Sequence, residues 1–260
     1  MKTESRGLLV AGALVAGVAA TVGTAQGGTL DLSFSVASSP YAATADFHFD
    51  DVLKTLTVTL SNNGVANDGS ANYQPFLTGL FWNMTGVTID SATGVAAATP
   101  VWKNNDNNGN FVAYGGSLTP ANQWCFKDGL TGNFPSGNPA NFDYALSCVG
   151  AGLFGGSDLI DGNGALNNAP NGDDGAIIPT GQTTVGGKKD YVFYKGSAVF
   201  SFALDTFNVS NVAMDGVKFG WGSEFQVEMS TVVVPLPAPV LMAGIGLLGV
   251  VGLRRWRRNG

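Results

Sequence analysis

The chain has 260 residues, of which 45% are hydrophobic and only 12% charged, and it carries a net charge of −6 at pH 7. Such an acidic chain repels the phosphate backbone, which excludes nucleic acid as a partner. Its single histidine and two cysteines supply too few ligands for a histidine and cysteine zinc site.

The N-terminus has the parts of a secretory signal peptide. Lys2 and Arg6 precede an apolar stretch over residues 7–20, and small residues of the kind that signal peptidase reads end at Ala25. We therefore predict a signal helix over residues 1–25 that is removed on export, with cleavage two residues later as the alternative.

The body of the chain carries apolar residues at every second position. This period predicts strands that are buried on one face and exposed on the other. The stretches are Leu30–Val36, Leu56–Leu60, Phe200–Leu204, Val217–Trp221 and Phe225–Met229. Clusters of Asn, Asp and Gly that favour turns separate them. We predict an all-β fold with a single antiparallel β-sandwich domain over residues 26–233, because two half-apolar sheets must cover each other, and a β-barrel is the alternative.

The middle of the chain, residues 104–187, is rich in Gly, Asn and Asp and breaks this alternation. It contains both cysteines, Cys125 and Cys148. Two cysteines in an exported chain are expected to pair, and closing a loop of about 24 residues stabilises the fold by roughly 3 kcal/mol. We predict an insertion that this disulfide closes, with two thiols as the alternative.

His48 is the only histidine, and it lies between Phe47 and Phe49 in an alternating stretch. Its side chain is therefore expected on the exposed face, opposite the two rings. No nucleophile motif accompanies it, so we predict no catalytic residues. Pairs of aspartates have the composition of a glycosidase acid and base, but aspartates in turns stay ionised in water. The pairs are Asp50 with Asp51, Asp158 with Asp161, and Asp173 with Asp174.

Asp106, Asp158 and Asp161 lie in loops that contain several Asn, Asp and Gly residues, at 104–110 and 158–164. Hard oxygen ligands on a flexible backbone suit Ca²⁺. Neither loop has the alternation or the terminal Glu of an EF-hand, and Asn and Asp also favour turns. A structural calcium site is therefore one hypothesis for these residues, and simple turn formation is the other.

Trp82 and Trp221 fall in strand patterns and are predicted to be core residues. Trp102 and Trp124 border polar loops, where an exposed indole can stack on a sugar ring. These two residues are the candidate saccharide ligands, although a tryptophan beside a disulfide commonly packs on it.

The last 27 residues follow a distinct order. A short motif with two prolines comes first: Val234, Pro235, Leu236, Pro237 and Ala238. An apolar run over residues 239–253 follows, and then four arginines: Arg254, Arg255, Arg257 and Arg258. The run from Val240 to Leu253 reaches roughly 21 Å as a helix, short of a hydrocarbon core about 30 Å thick. The arginines predict a cytoplasmic end and an exported body.

This tail resembles the C-terminal signal of exosortase substrates, the PEP-CTERM class of Gram-negative bacteria, in its VPLPA variant. The match covers the motif at 234–238, the transmembrane stretch 239–253 and the Arg-rich end 254–258. The resemblance implies transient anchoring in the inner membrane, recognition by an exosortase near the motif, and release or transfer to the cell surface. An uncut C-terminal anchor is the alternative.

Short Gly-rich segments of the body also resemble a group of exosortase-dependent surface proteins. They are residues 56–62, 76–82, 143–146, 153–155, 158–164, 197–204 and 217–222. The last segment departs from the group, because this chain reads Phe219-Gly-Trp-Gly-Ser where Phe-x-Tyr-Gly-Thr is more common. The group has no established catalytic role, so the resemblance implies no active-site residues.

Without its processed ends, the body has seven lysines, no arginine and 18 acidic residues, a net charge of −11. This charge favours solubility and weak association with cations. We predict a non-enzymatic exported surface or extracellular-matrix protein, processed by signal peptidase and an exosortase. A secreted carbohydrate-binding module associated with exopolysaccharide is the alternative.

Overall fold

A computed structural model describes residues 20–22, 28–66, 75–97, 101–104, 111–113, 123–154, 158, 160, 175–183, 192–205, 207–222, 225 and 227–230. Fifteen strands form in this part of the chain. In chain order they are β1 (Ala20–Val22), β2 (Thr29–Ser38), β3 (Tyr41–Asp50), β4 (Thr55–Asn62), β5 (Leu77–Thr85), β6 (Ile89–Ala97), β7 (Val101–Asn104), β8 (Phe111–Ala113), β9 (Cys125–Leu130), β10 (Phe142–Ser147), β11 (Ile177–Ile178), β12 (Val192–Lys195), β13 (Ser197–Leu204), β14 (Ala213–Trp221) and β15 (Val227–Ser230). A short 3-10 turn at Val209–Asn211 precedes β14.

Six strands form the first sheet, in the order β1-β2-β3-β4-β13-β6. All of its neighbouring strands are antiparallel, and β2, β3 and β4 are consecutive hairpins joined by short turns. The predicted alternation is confirmed here. Leu30, Leu32, Phe34 and Val36 of β2 are buried, while the residues between them are exposed or half-buried.

Nine strands form the second sheet, with β5 at its centre. One edge of β5 pairs with β14, and the other edge pairs with β10 and β11. Strand β9 extends the sheet beyond β10, and β12, β7 and β8 extend it beyond β11. One pairing departs from the antiparallel prediction, because β11 and β12 are parallel. The two strands are separated in the sequence by residues 179–191, and a parallel pair requires a connection of about a dozen residues or more.

The two sheets face each other across one hydrophobic core, which is the arrangement of a β-sandwich. Trp82 of β5 contacts Phe47 of β3 and Phe202 of β13, with ring centroids 5.5 Å and 6.5 Å apart. Both Trp82 and Trp221 are buried, as predicted. Burying each such ring stabilises the fold by roughly 1.5–3 kcal/mol, so these contacts hold the layers together.

A second apolar layer covers the outward face of β5, and we call it the outer aromatic cluster. Its members are Phe81, Phe134, Phe142 and Phe225, and the ring centroid of Phe81 lies 4.9–5.6 Å from those of the other three. The loop between β9 and β10 supplies Phe134 and is closed by a bridge between residues 133 and 139. Because both faces of β5 are covered, residues 77–82 are all buried, without the period of two.

The structure corrects two expectations about the body. The segment predicted as an insertion, residues 104–187, is part of the sandwich itself, because its strands β8, β9, β10 and β11 all pair into the second sheet. Phe225 was expected inside a strand, but it precedes β15 with φ of 50° and packs into the outer aromatic cluster. The low-complexity composition of the middle segment obscured its pairing, since the buried strands there are short.

Both predicted end segments lie largely outside the described residues, which include neither 1–19 nor 231–260. Within the predicted signal peptide, Ala20–Val22 forms β1, a strand where a helix was expected. In the ranges that the structure describes, no helix has the length and apolar character needed to cross a membrane.

Candidate functional site

Polar side chains of β2, β3 and β4 line an open pocket of about 340 Å³ on the exposed face of the first sheet. The strand register places Asp31 opposite His48 and Ser33 opposite Asp46. His48 Nδ1 lies 2.5 Å from Asp31 Oδ1, and Ser33 Oγ donates to Asp46 Oδ1 at 2.5 Å. His48 therefore points away from its two buried phenylalanine neighbours, as predicted.

These polar residues form two separate pairs. A serine nucleophile requires its hydroxyl to donate to a histidine ring, whereas the Ser33 hydroxyl donates to Asp46. The side chains of His48 and Asp31 are 48% and 68% exposed, so water weakens the electrostatic interaction between them. The arrangement has the chemistry of a hydrogen-bonded polar surface, not of an activated nucleophile.

A larger open cleft of about 830 Å³ lies beside the turn between β5 and β6. Three aspartates from distant segments line it: Asp128, Asp143 and Asp205. The Asp143 carboxylate accepts from the backbone N–H of Met84 at 2.9 Å, and this bond fixes the carboxylate against the end of β5. The cleft carries net negative charge and so favours cations and hydrogen-bond donors.

Tyr144 forms the apolar wall of this cleft. Its hydroxyl accepts from the backbone N–H of Ile89 at 3.2 Å, and its ring stacks on Trp82 with centroids 5.8 Å apart. Burial raises the pKa of the Tyr144 phenol, the hydrogen bond from Ile89 lowers it, and the surrounding aspartates raise it further. The phenol therefore remains protonated at neutral pH and serves as a structural wall. Sequence reasoning missed this cleft because Asp128 and Asp143 come together only through the pairing of β5, β9 and β10, and Asp205 reaches it from the end of β13 through its backbone bond to Thr88.

Cys125 and Cys148 are both buried, and the structure does not join them as the predicted disulfide. Pairing of β9 with β10 places Cys125 opposite Ser147, so Cys148 is the next residue along. The two Cα atoms are then roughly 6 Å apart, but successive residues of a strand point to opposite faces, so this register directs the two thiols to opposite sides of the sheet. Burial, with a smaller contribution from Asp158 and a counteracting one from Lys127, raises the pKa of the Cys125 thiol to about 12.

Of the three candidate calcium ligands, only Asp158 is in the described part of the chain. Its Oδ2 lies 3.6 Å from Lys127 Nζ, which also donates to the carbonyl of Leu153 at 2.8 Å. An ammonium group beside a carboxylate competes with a metal ion for it. Asp106 and Asp161 lie outside the described residues, and within those residues no group of three or more metal-binding side chains occurs.

Trp124, a candidate saccharide ligand, is fully buried, and this corrects the expectation of an exposed indole. Its Nε1–H donates to the carbonyl of Gly175 at 3.0 Å, and its ring centroid lies 4.9 Å from that of Phe200 in the first sheet. Trp124 directly precedes β9, and its ring packs into the core between the sheets. Trp102 belongs to β7, and its side chain lies outside what the structure describes.

Asp50, from one of the aspartate pairs, acts as a turn residue. Its Oδ1 accepts from the backbone N–H groups of Val52 and Leu53 at 2.9 Å and 2.8 Å, at the turn between β3 and β4. Both members of another pair, Asp173 and Asp174, lie outside the described residues.

The predicted sorting residues also lie outside the described part of the chain, so their roles stay predictions. The motif residues are Val234, Pro235, Leu236, Pro237 and Ala238. The cytoplasmic residues are Arg254, Arg255, Arg257 and Arg258.

No protein-family model, no curated protein and no solved structure matches this chain.

Proposed function

We propose that this protein is a non-enzymatic, exported surface or extracellular-matrix protein that an exosortase sorts and cleaves. The observation that carries the proposal is the order of the tail: the motif at 234–238, the apolar run at 239–253 and the arginines at 254–258. A short apolar run suits a temporary anchor, because cleavage at the motif releases the body. The four arginines hold the C-terminus on the cytoplasmic side while the body is translocated.

The composition of the body supports a location outside the cell. With its ends removed it carries a net charge of −11 and no arginine. A net charge far from zero favours solubility and disfavours adsorption to anionic membranes. The signal peptide over 1–25 and the transmembrane helix over 239–253 complete the proposed precursor.

A disulfide between Cys125 and Cys148 is part of the proposal for the exported form. Two cysteines in an exported chain are expected to pair, and pairing here requires Cys148, which follows β10, to turn its side chain towards Cys125. The bond would join the start of β9 to the end of β10, next to the Lys127 and Asp158 pair.

The pairing of Ser33 with Asp46, and of His48 with Asp31, supports a role without covalent catalysis. The carbohydrate-binding alternative depended on Trp102 and Trp124. Because Trp124 is buried, it cannot stack on a sugar ring, and no second function is proposed.

Intact-mass spectrometry of the protein from the producing cells tests the proposal. We expect a mature form that begins at Gln26 or two residues later and ends within or next to residues 234–238. Replacing both motif prolines, Pro235→Ala with Pro237→Ala, should leave an uncut precursor in the membrane fraction.

Ser230→Ala is the matched control, because this exposed residue lies just before the motif and its loss should leave processing unchanged. A wild-type protein that still carries Arg258 in its exported form would contradict the proposal.

A further inference from the structure

Strand β1 occupies the edge of the first sheet, yet it belongs to the segment that export would remove. Ala20, Thr21 and Val22 pair with Phe34, Ser33 and Leu32 of β2. Cleavage after Ala25, or two residues later, detaches this strand. The mature sheet would then have β2 as its edge.

One contact at the start of β2 shows which of its residues bond to β3 and which face the outer edge of the sheet. The backbone N–H of Asp51 donates to the carbonyl of Gly28 at 2.8 Å, in register with the β2–β3 pairing. In an antiparallel pair the bonded residues alternate, so even-numbered residues of β2 bond to β3. Odd-numbered residues, including Asp31 and Ser33, direct their N–H and C=O groups to the outer edge of β2, which β1 covers over Leu32–Phe34.

Strand β2 has few of the features that normally protect an edge. It is ten residues long, contains no proline or lysine, and pairs with β3 without a bulge. Asp31 is its only charged residue. A long, regular edge that has lost its neighbouring strand is a template for another strand.

We propose that the mature protein forms a two-fold symmetric dimer by antiparallel pairing of β2 with β2 of a second copy. The proposal rests on the proposed function, because processing must first remove β1. It joins the first sheets of the two copies into one continuous sheet.

The sequence of β2 is self-complementary when Ser33 lies on the two-fold axis. In this register Leu32 pairs with Phe34 and Leu30 with Val36, so the buried row of each copy continues into its partner. On the exposed face, Asp31 pairs with Ser35 of the second copy, and Ser33 pairs with Ser33 of the second copy. In this register no two like charges lie directly across from each other. Centring the pair on Asp31 would instead place two carboxylates together. This register also pairs nearly the full length of the strand.

The test uses the processed wild-type protein purified from the producing cells. Intact mass first establishes that residues 20–22 are absent, and light scattering coupled to gel filtration then measures molar mass across a concentration series. We expect the molar mass to double as concentration rises. Ser33→Pro removes an N–H that β3 does not use, and should weaken dimerisation about tenfold or more.

Ser33→Ala is the matched control, because it also loses the hydroxyl bond to Asp46 but keeps the N–H, so dimerisation should be unchanged. Amide hydrogen exchange on the wild-type protein gives a second readout that requires no variant. Amides of Asp31 and Ser33 should become protected as concentration rises, while those of Leu32 and Phe34 stay protected throughout.

A processed protein that remains monomeric, with Asp31 and Ser33 exchanging freely at every concentration, overturns the dimer alone. An exported protein that retains residues 20–22 contradicts the proposed processing, and the dimer with it. The two failures are therefore distinguished by the mass measurement.

Discussion

Two glycines decide how the outer aromatic cluster sits on the second sheet. Gly79 of β5 pairs with Gly220 of β14, and a Cβ atom at either position would lie 2.6 Å from the ring of Phe225. Gly79 would also approach the ring of Phe81 to 3.0 Å. The missing side chains make a flat patch on which the Phe225 ring lies. The requirement is steric, since neither glycine has a positive φ.

We expect Gly79→Ala to lower the free energy of unfolding by about 1–3 kcal/mol, because the added methyl overpacks a buried site. Phe225→Ala should cost about 3–5 kcal/mol through the cavity it leaves. Urea unfolding of both single variants and of the double variant measures their coupling. In the Phe225→Ala background the methyl added by Gly79→Ala has room, so its cost should nearly vanish. Equal costs in both backgrounds would show that Phe225 does not cover this glycine.

At the scale of elements, Asn62 at the end of β4 links the two sheets. It is buried, and its Nδ2 donates to the carbonyls of Pro75 and Ile177 at 2.5 Å and 2.7 Å. Its Oδ1 accepts from the N–H of Gly64 at 3.0 Å. One side chain therefore connects the first sheet to the entry of β5 and to β11. These bonds fix the end of β4 in the first sheet against β5 and β11 in the second sheet.

We expect Asn62→Ala to destabilise the protein by about 2–5 kcal/mol, because two buried carbonyls lose their donor. Asn62→Asp should cost more, since a carboxylate oxygen would face those carbonyls. Asn63→Ala is the control, because the neighbouring Asn63 is exposed and makes a bond to Thr44 that should be worth less than about 1 kcal/mol. Thermal unfolding with matched baselines checks all three. Similar losses for Asn62→Ala and Asn63→Ala would contradict the linking role.

At the scale of the whole molecule, the oxidation state of the two buried cysteines bears on stability. The body carries a net charge of −11, and its core contains two cysteines. In the reduced protein the Cys125 pKa is raised from 9.0 to about 12, mainly by burial. A raised folded pKa means that the stability contribution is complete below pH 9 and is lost as the pH rises towards about 12.

We expect the exported protein to contain the Cys125–Cys148 disulfide. Alkylation in denaturant without reductant should then add no label, and prior reduction should expose two thiols. Reduction, or Cys148→Ser, should lower stability by roughly 3 kcal/mol. The reduced protein should lose stability between pH 9 and about 12, and the oxidised protein should lack this thiol-dependent loss. Two labelled thiols in the unreduced exported protein would contradict the bond.

Much of the first sheet could be predicted from the sequence, because its strands bury one face only. The alternation of Leu30, Leu32, Phe34 and Val36 is visible without knowing their neighbours, and so is the exposure of His48. The second sheet was harder to predict, because β5 is covered on both faces and loses the period of two. The pairing of β9 and β10 with β5 also could not be anticipated from a Gly-rich segment whose strands are short.

The sequence by itself determined the all-β class, the one-sided strands, the acidic character and the hypothesis of export, because period, charge and terminal motifs are properties of local sequence. Only the tertiary structure decided which residues share a surface. It buried Trp124, assembled the cleft of Asp128, Asp143 and Asp205, and placed Phe225 over Gly79. These outcomes depend on which strands become neighbours, and long-range pairing is set by the packing of the whole core rather than by any single segment.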